Sequence, residues 1–210
     1  MTLPKSDGAS AEAAAKVLRE GKIAVLPTDT VYGFSALALA PGADGPKKSG
    51  LDLKIDQIKK SPESKPLIEL ISEPSDIRKY AGQEIPSKIL EKWPGALTVL
   101  VKNNDWYKAL TGREATAFRC PGDEWLRQVI SLCGGPIYST SVNFSGKPVL
   151  ETEEDILRDF GGVVDLFVLD GDKKKRASKH PCQPFGRGAK GDQAGRRPLG
   201  LGVFQLELPL

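Results

Sequence analysis

Short apolar runs alternate with amphipathic stretches along most of this chain. Residues 9–20 favour a helix through their alanines, with Ser10 placed to cap it and Gly21 to stop it; the residues before them read as a flexible start. Residues 22–27 (KIAVLP) are short and continuously apolar, the pattern of a strand covered on both faces. The polar turn Thr28-Asp29-Thr30-Val31-Tyr32-Gly33 interrupts that pattern at the strand's end. Residues 41–50 are loop-like, and residues 51–60 return to helical spacing with Leu51, Ile55 and Ile58 on one side until Pro62. Residues 65–72 (KPLIELIS) predict a strand, 74–80 and 86–93 short helices, and Trp93-Pro94-Gly95 a turn.

Residues 96–102 and 115–120 are strand candidates, the second carrying Arg119 near its end. Residues 123–132 predict a helix with Trp125, Leu126, Val129 and Ile130 on its apolar face. Residues 136–140 return to strand and lead into Ser141-Val142-Asn143-Phe144-Ser145-Gly146. Residues 151–160 predict a helix capped by Thr152 or a neighbouring acid, and 163–169 the last clear strand. This alternation predicts an α/β fold, one sheet with flanking helices. Beyond residue 172 the character changes, and residues 177–210 keep neither period until the last few positions, which reads as a loosely attached tail.

Composition narrows the picture without changing it. With 210 residues, 40% hydrophobic and 27% charged, the chain is long enough to bury a core without a metal or disulfide staple, so one domain over 1–172 plus a tail over 173–210 is expected. A net charge of +3 is far from that of a nucleic-acid coat, so any anion site must be local. Cys120, Cys133 and Cys182 have no C-x-x-C spacing and His180 is the sole histidine, too few ligands for a structural metal. Scattered cysteines without a secretory segment point to a cytoplasmic protein, and no apolar run approaches a membrane span.

Three hydroxyl-rich places follow apolar strands: Thr28 to Gly33, Ser139 to Asn143, and the approach to Arg119. In open α/β sheets ligands sit beyond the carboxyl ends of strands, and hydroxyls beside Lys and Arg suit a phosphate or carboxylate. Each piece alone has a plainer reading. Thr-Asp-Thr is a common self-bonded turn, Ser-Thr-Ser-Val-Asn can cap, Arg119 can pair with a carboxylate, and Lys59, Lys60 and Lys65 can be a solvated face. There is no Walker loop, no G-x-G-x-x-G and no Ser-His-Asp set, which excludes those kinds of site.

Taken together, Pro27 to Gly33, the lysine-rich segment ending Lys65-Pro66-Leu67, Trp93-Pro94-Gly95 with Thr98, Ala117-Phe118-Arg119-Cys120-Pro121 and Ser139 to Gly146 resemble the YrdC-type threonylcarbamoyl-AMP synthases, in order from about residue 10 to 172. The resemblance implies a twisted mixed α/β sheet around a concave, positively charged cavity. It implies synthesis of L-threonylcarbamoyl-AMP from L-threonine, bicarbonate and ATP with release of pyrophosphate, the product passing to downstream tRNA threonylcarbamoyl transferase proteins. By position it assigns Thr28, Thr30, Lys65, Arg119 and Ser141 to threonine and Lys59, Lys60 and Asn143 to ATP. It allows a magnesium ion on the phosphates, although no carboxylate cage is visible in the sequence. The alternatives are a non-catalytic module that binds a nucleotide or RNA (tRNA or double-stranded RNA), and a related carbamoyl-adenylate domain with another acceptor.

Two departures stand out. The family pattern has Lys-x-Arg where this chain has Lys59-Lys60-Ser61, and a serine cannot grip carbonate or phosphate bidentately as a guanidinium does. The family also closes with a Pro-Ser-Thr segment and an Ile-Arg-x-Gly-like strand, and neither is present. Codons permitted for RASKHPCQPFG, read one nucleotide later, allow ALPSTLVNLSG, and those for AKGDQAG allow PKVIRQG. The chain from about Arg176 onward therefore reads as the product of a shifted frame, with the switch at Lys173-Lys174-Lys175.

Overall fold

The computed structural model describes residues 1–42, 45–62 and 66–173, together with the backbone of 203–205. In chain order the elements are β1 (Thr2–Pro4), α1 (Ser10–Arg19), β2 (Ala24–Pro27), β3 (Tyr32–Leu37), β4 (Leu39–Ala40), β5 (Lys47–Lys48), α2 (Leu51–Ile58) and β6 (Ile68–Leu70). A 3-10 turn (Pro74–Lys79), α3 (Ser87–Leu90), β7 (Thr98–Lys102), α4 (Asp105–Thr111), β8 (Ala115–Arg119), α5 (Glu124–Cys133), β9 (Ile137–Ser141), α6 (Glu153–Phe160), β10 (Leu166–Leu169) and β11 (Val203–Gln205) follow. Among the described residues nine strands form one mixed sheet in the order β1-β10-β2-β3-β9-β6-β8-β7-β11, and β4 and β5 make a separate ribbon.

The continuous apolar run of β2 is explained by cover on both faces. Ala24 and Leu26 pack with Ala14 and Leu18 of α1 and Leu126 of α5. Val25 points the other way, toward Ile55 of α2 and Ile156 and Phe160 of α6. A third cluster under the β7–β8 half joins Val99, Val101 and Phe118 to Tyr107 and Trp93. Full burial of side chains such as Leu126 and Ile55 is worth about 1.5–3 kcal/mol each.

The expected helix caps are partly realised. The side chains of Asp123 and Thr152 accept from the backbone N–H groups of Leu126 and Asp155, starting α5 and α6. Ser10 is not a cap: it is buried, its hydroxyl donating to the Lys5 carbonyl and accepting from Trp125 Nε1. Gly21 ends α1 at φ 73°, as expected. The first residues are not a free start, since β1 pairs parallel with β10.

Strand direction decides where a site can form. β2 and β9 are both antiparallel to β3 and run the same way, whereas β6 is antiparallel to β9 and β8 parallel to β6. Arg119 at the end of β8 therefore does not share a carboxyl edge with Thr28 and Ser141, and the expectation of a site beyond one sheet edge is replaced by a site on one sheet face.

Candidate functional site

Cross-strand register sets that face. Arg119 lies opposite Leu70, Leu70 opposite Ile137, Ile68 opposite Ser139 and Gly33 opposite Ser141. Because side chains alternate along a strand, Arg119, Leu70, Ile68, Ser139 and Ser141 all project from one side of the sheet. These residues line a pocket roofed by residues 28–31 and Pro121. Its volume is about 80 Å³.

The Thr28 hydroxyl holds the roof in shape. It donates to the Val31 carbonyl at 2.6 Å and accepts from the N–H groups of Thr30 and Val31 at 3.1 and 3.2 Å. The self-bonded turn considered from the sequence is thus real, and it is built into the pocket rather than being an alternative to it. Thr30 Oγ1 lies 3.0 Å from Thr28 Oγ1; with the Thr28 hydrogen aimed at Val31, Thr30 is the donor.

Arg119 is nearly buried and precisely held. Its Nη2 meets Asp29 Oδ1 at 2.5 Å and its Nε donates to the Gly95 carbonyl at 3.1 Å. Asp29 Oδ2 accepts from the Gly122 N–H at 3.1 Å. Gly95 in turn donates to the Cys120 carbonyl, and a Cβ there would sit 2.7 Å from the Lys92 oxygen, so only glycine fits this turn. Nη1 of Arg119 is the one guanidinium nitrogen without a partner among the described residues, and Arg119 lines the pocket. Asp29 lies within the Pro27 to Gly33 motif, but its role comes from a distant partner, which no local pattern encodes.

Next to this pocket α2 ends in a Schellman turn. Lys60 and Ser61 donate backbone N–H bonds to Gln57 and Asp56, and Lys60 adopts φ 52°, the left-handed region usually left to glycine. Lys59 is buried, and its ammonium donates to the Ser141 carbonyl (2.5 Å), the Asn143 carbonyl (3.1 Å) and Asn143 Oδ1 (2.7 Å). Burial pushes its pKa down to about 8. Asn143 Oδ1 also accepts from Ser141 Oγ, and its Nδ2 donates to the Lys147 carbonyl. Lys60 places its ammonium 4.8 Å from the Phe144 ring centroid.

Of the residues singled out from the sequence, Thr28, Thr30, Arg119 and Ser141 share the pocket. Lys59 and Asn143 form a clamp at its rim, with Lys60 beside it. Lys65 and residues from 176 to the last strand lie outside the described residues. Among the described residues no three His, Cys, Asp or Glu side chains gather to hold a metal. Nor is any described helix long and apolar enough to cross a membrane.

The family model for Sua5, YciO and YrdC, described as telomere recombination, matches residues 16–180. The threonylcarbamoyl-AMP synthase of Pyrococcus abyssi is 34% identical over 167 residues, which cover 77% of this chain and 46% of that protein. A putative threonylcarbamoyl-AMP synthase of Methanocaldococcus jannaschii is 30% identical over 157 residues, covering 72% and 70%. Among solved structures, Pyrococcus abyssi Sua5 complexed with L-threonine superposes with a TM-score of 0.67 at 28% identity, covering 82% of this chain and 50% of that one. The chain thus spans about half the length of the Pyrococcus relative.

Proposed function

The chain belongs to the Sua5, YciO and YrdC family, and on that premise we propose that it makes L-threonylcarbamoyl-AMP from L-threonine, bicarbonate and ATP. The observation that carries this reading is the held guanidinium of Arg119, which keeps one nitrogen without a partner among the described residues and lines a small pocket together with Thr28, Thr30 and Ser141. Arg119, with Lys65, takes the threonine carboxylate, and Thr28, Thr30 and Ser141 surround the rest of the amino acid. Lys59, Lys60 and Asn143 face the ATP, whose bulk lies outside the small pocket.

No side-chain nucleophile is needed. The threonine nitrogen bonds to the bicarbonate carbon with loss of water, and a carbamate oxygen then attacks the α-phosphorus and expels pyrophosphate. The protein's part is to bring anions together and offset their charge, which is proximity and electrostatic stabilisation. The carbamoyl adenylate would pass to a transferase acting on tRNA. Buried, free Cys120 and Cys133 suit a reducing cytoplasm.

The segment from about Arg176 onward we read as frame-shifted, replacing the closing serine and arginine contacts that the family resemblance implies and lowering activity. Sequencing the gene across the codons for Lys173, Lys174 and Lys175 tests this, and an unbroken frame without an alternative Pro-Ser-Thr reading overturns it. The function itself is tested by mass spectrometry of the reaction mixture: threonylcarbamoyl-AMP should form only when all three substrates are present.

A further inference from the structure

Glu69 sits on β6 between Ile68 and Leu70, which both line the pocket, so its own side chain points from the other face of the sheet. There it is fully buried and accepts from the Tyr107 hydroxyl of α4. Arg113, just after α4, donates from Nη1 to Glu69 Oε1 at 3.3 Å and from Nη2 to Asp52 Oδ2 at 2.9 Å. Asp52 lies in the first turn of α2 and is itself buried, with the ammonium of Lys48 on β5 2.8 Å from the same oxygen. One guanidinium thus joins the sheet to a helix. A buried ion pair adds little net stability, because desolvation offsets most of its attraction.

The helix it holds ends at the clamp. α2 has eight residues, about two turns, and Lys59, directly after its last residue, grips Ser141 and Asn143. Leu51 and Ile55 pack its inner side, and apolar packing is non-directional. Its N-cap is Gly50, which has no side chain to fix the start. We propose that Arg113 is a positioning residue: by bridging Glu69 to Asp52 it sets the placement of α2 and so of Lys59, and the bridge is engaged when Glu69 is ionised. This rests on the assignment of Lys59 to ATP above. The groups facing Glu69 are Tyr107 of α4, Arg113, Asp52 of α2, Lys48 of β5, Tyr138 of β9 and Tyr80 after the 3-10 turn. Burial raises the Glu69 pKa to about 7, with Asp52 adding to the rise and Tyr107, Arg113 and Lys48 opposing it, while burial pushes the three tyrosines far above that range. Once Glu69 is protonated, Arg113 keeps its ion pair with Asp52 alone and the charged tie to the sheet is lost. Ionised, Glu69 engages the bridge at a cost in stability.

Calorimetric titration of the full chain with ATP, and separately with L-threonine, tests this in wild type, Glu69→Gln and Arg113→Lys at about pH 6 and about pH 7.5. Comparing proteins at one pH cancels the ionisation of ATP itself. Glu69→Gln keeps the shape and still accepts from Tyr107, so it folds. At the lower pH it should bind ATP as wild type does, and at the higher pH about threefold more weakly, with threonine affinity unchanged. It should also be the more heat-stable protein at the higher pH, and weaker binding in a more stable protein is not what general loosening gives. Arg113→Lys keeps the charge but cannot span two carboxylates, so at the higher pH it should lose ATP affinity as Glu69→Gln does. Wild-type ATP affinity in either variant at the higher pH, or an equal loss for threonine, overturns the positioning role while Lys59 keeps its place on the ATP side. If wild type binds no ATP, the nucleotide assignment falls and this inference with it.

Discussion

Asp29 and Arg119, 90 positions apart in the chain, meet at 2.5 Å, and their contact occupies Nη2 of the guanidinium. The Gly95 carbonyl on Nε and the Gly122 N–H on Asp29 complete the brace. Arg119 is therefore held as a rigid donor rather than a mobile surface cation, which lowers the entropy lost when a carboxylate binds.

Arg119→Ala should abolish threonine binding without unfolding the protein. Asp29→Asn should raise the threonine KM roughly tenfold, leaving kcat nearly unchanged at saturation, because it loosens Arg119 without removing it. Wild-type threonine affinity in Asp29→Asn, measured by calorimetry, would contradict the brace.

Lys60 occupies the left-handed region at the end of α2. Lys60→Gly should stabilise the fold by about 1 kcal/mol, read as a higher denaturation midpoint, while weakening ATP binding through loss of the cation. A variant that is both more stable and equally tight for ATP would remove Lys60 from the nucleotide side.

Burial lowers the Lys59 pKa to about 8, against the opposing pull of Asp56. In the unfolded chain this amine titrates near its ordinary value of 10.5. Between the two the unfolded chain holds a proton that the folded protein has released, so stability should rise as pH goes from about 8 towards 10. The clamp on Ser141 and Asn143 loses its charge over the same range, so ATP affinity should fall. Lys59→Met should lose the stability slope in denaturant titrations, and an identical slope in both proteins would contradict the assignment.

Glu69 lies on the opposite sheet face, fully buried, accepting from Tyr107 and paired with Arg113, which also bonds Asp52 beside Lys48. Burial raises its pKa to about 7, although Tyr107 and Arg113 pull it down. The folded protein then binds a proton that the unfolded chain has released between about pH 4.5 and 7, so the stabilisation is complete below that range and lost as pH rises through it. Glu69→Gln should flatten this fall, measured as the difference in thermal midpoint between pH 5 and 8; a wild-type slope kept by the variant would place the titration elsewhere.

The sequence made β2, α2, β8, α5 and β9 legible because each combines a clear apolar period with a cap or a turn. β3 was missed because it is buried on both faces and contains Gly33 and Ser35, so nothing alternates. α4 was missed although its signals were present: Asn104 accepts from the Tyr107 N–H, and Gly112 ends the helix at φ 70°. Motif residues located the pocket, but Asp29 acquires its role only through long-range pairing, which a linear reading does not contain.

The most direct measurement is pyrophosphate release from ATP by the purified 210-residue chain, with and without L-threonine and bicarbonate. The account predicts release that requires both and is lost in Arg119→Ala. Release indifferent to threonine, or none under any combination, would contradict it.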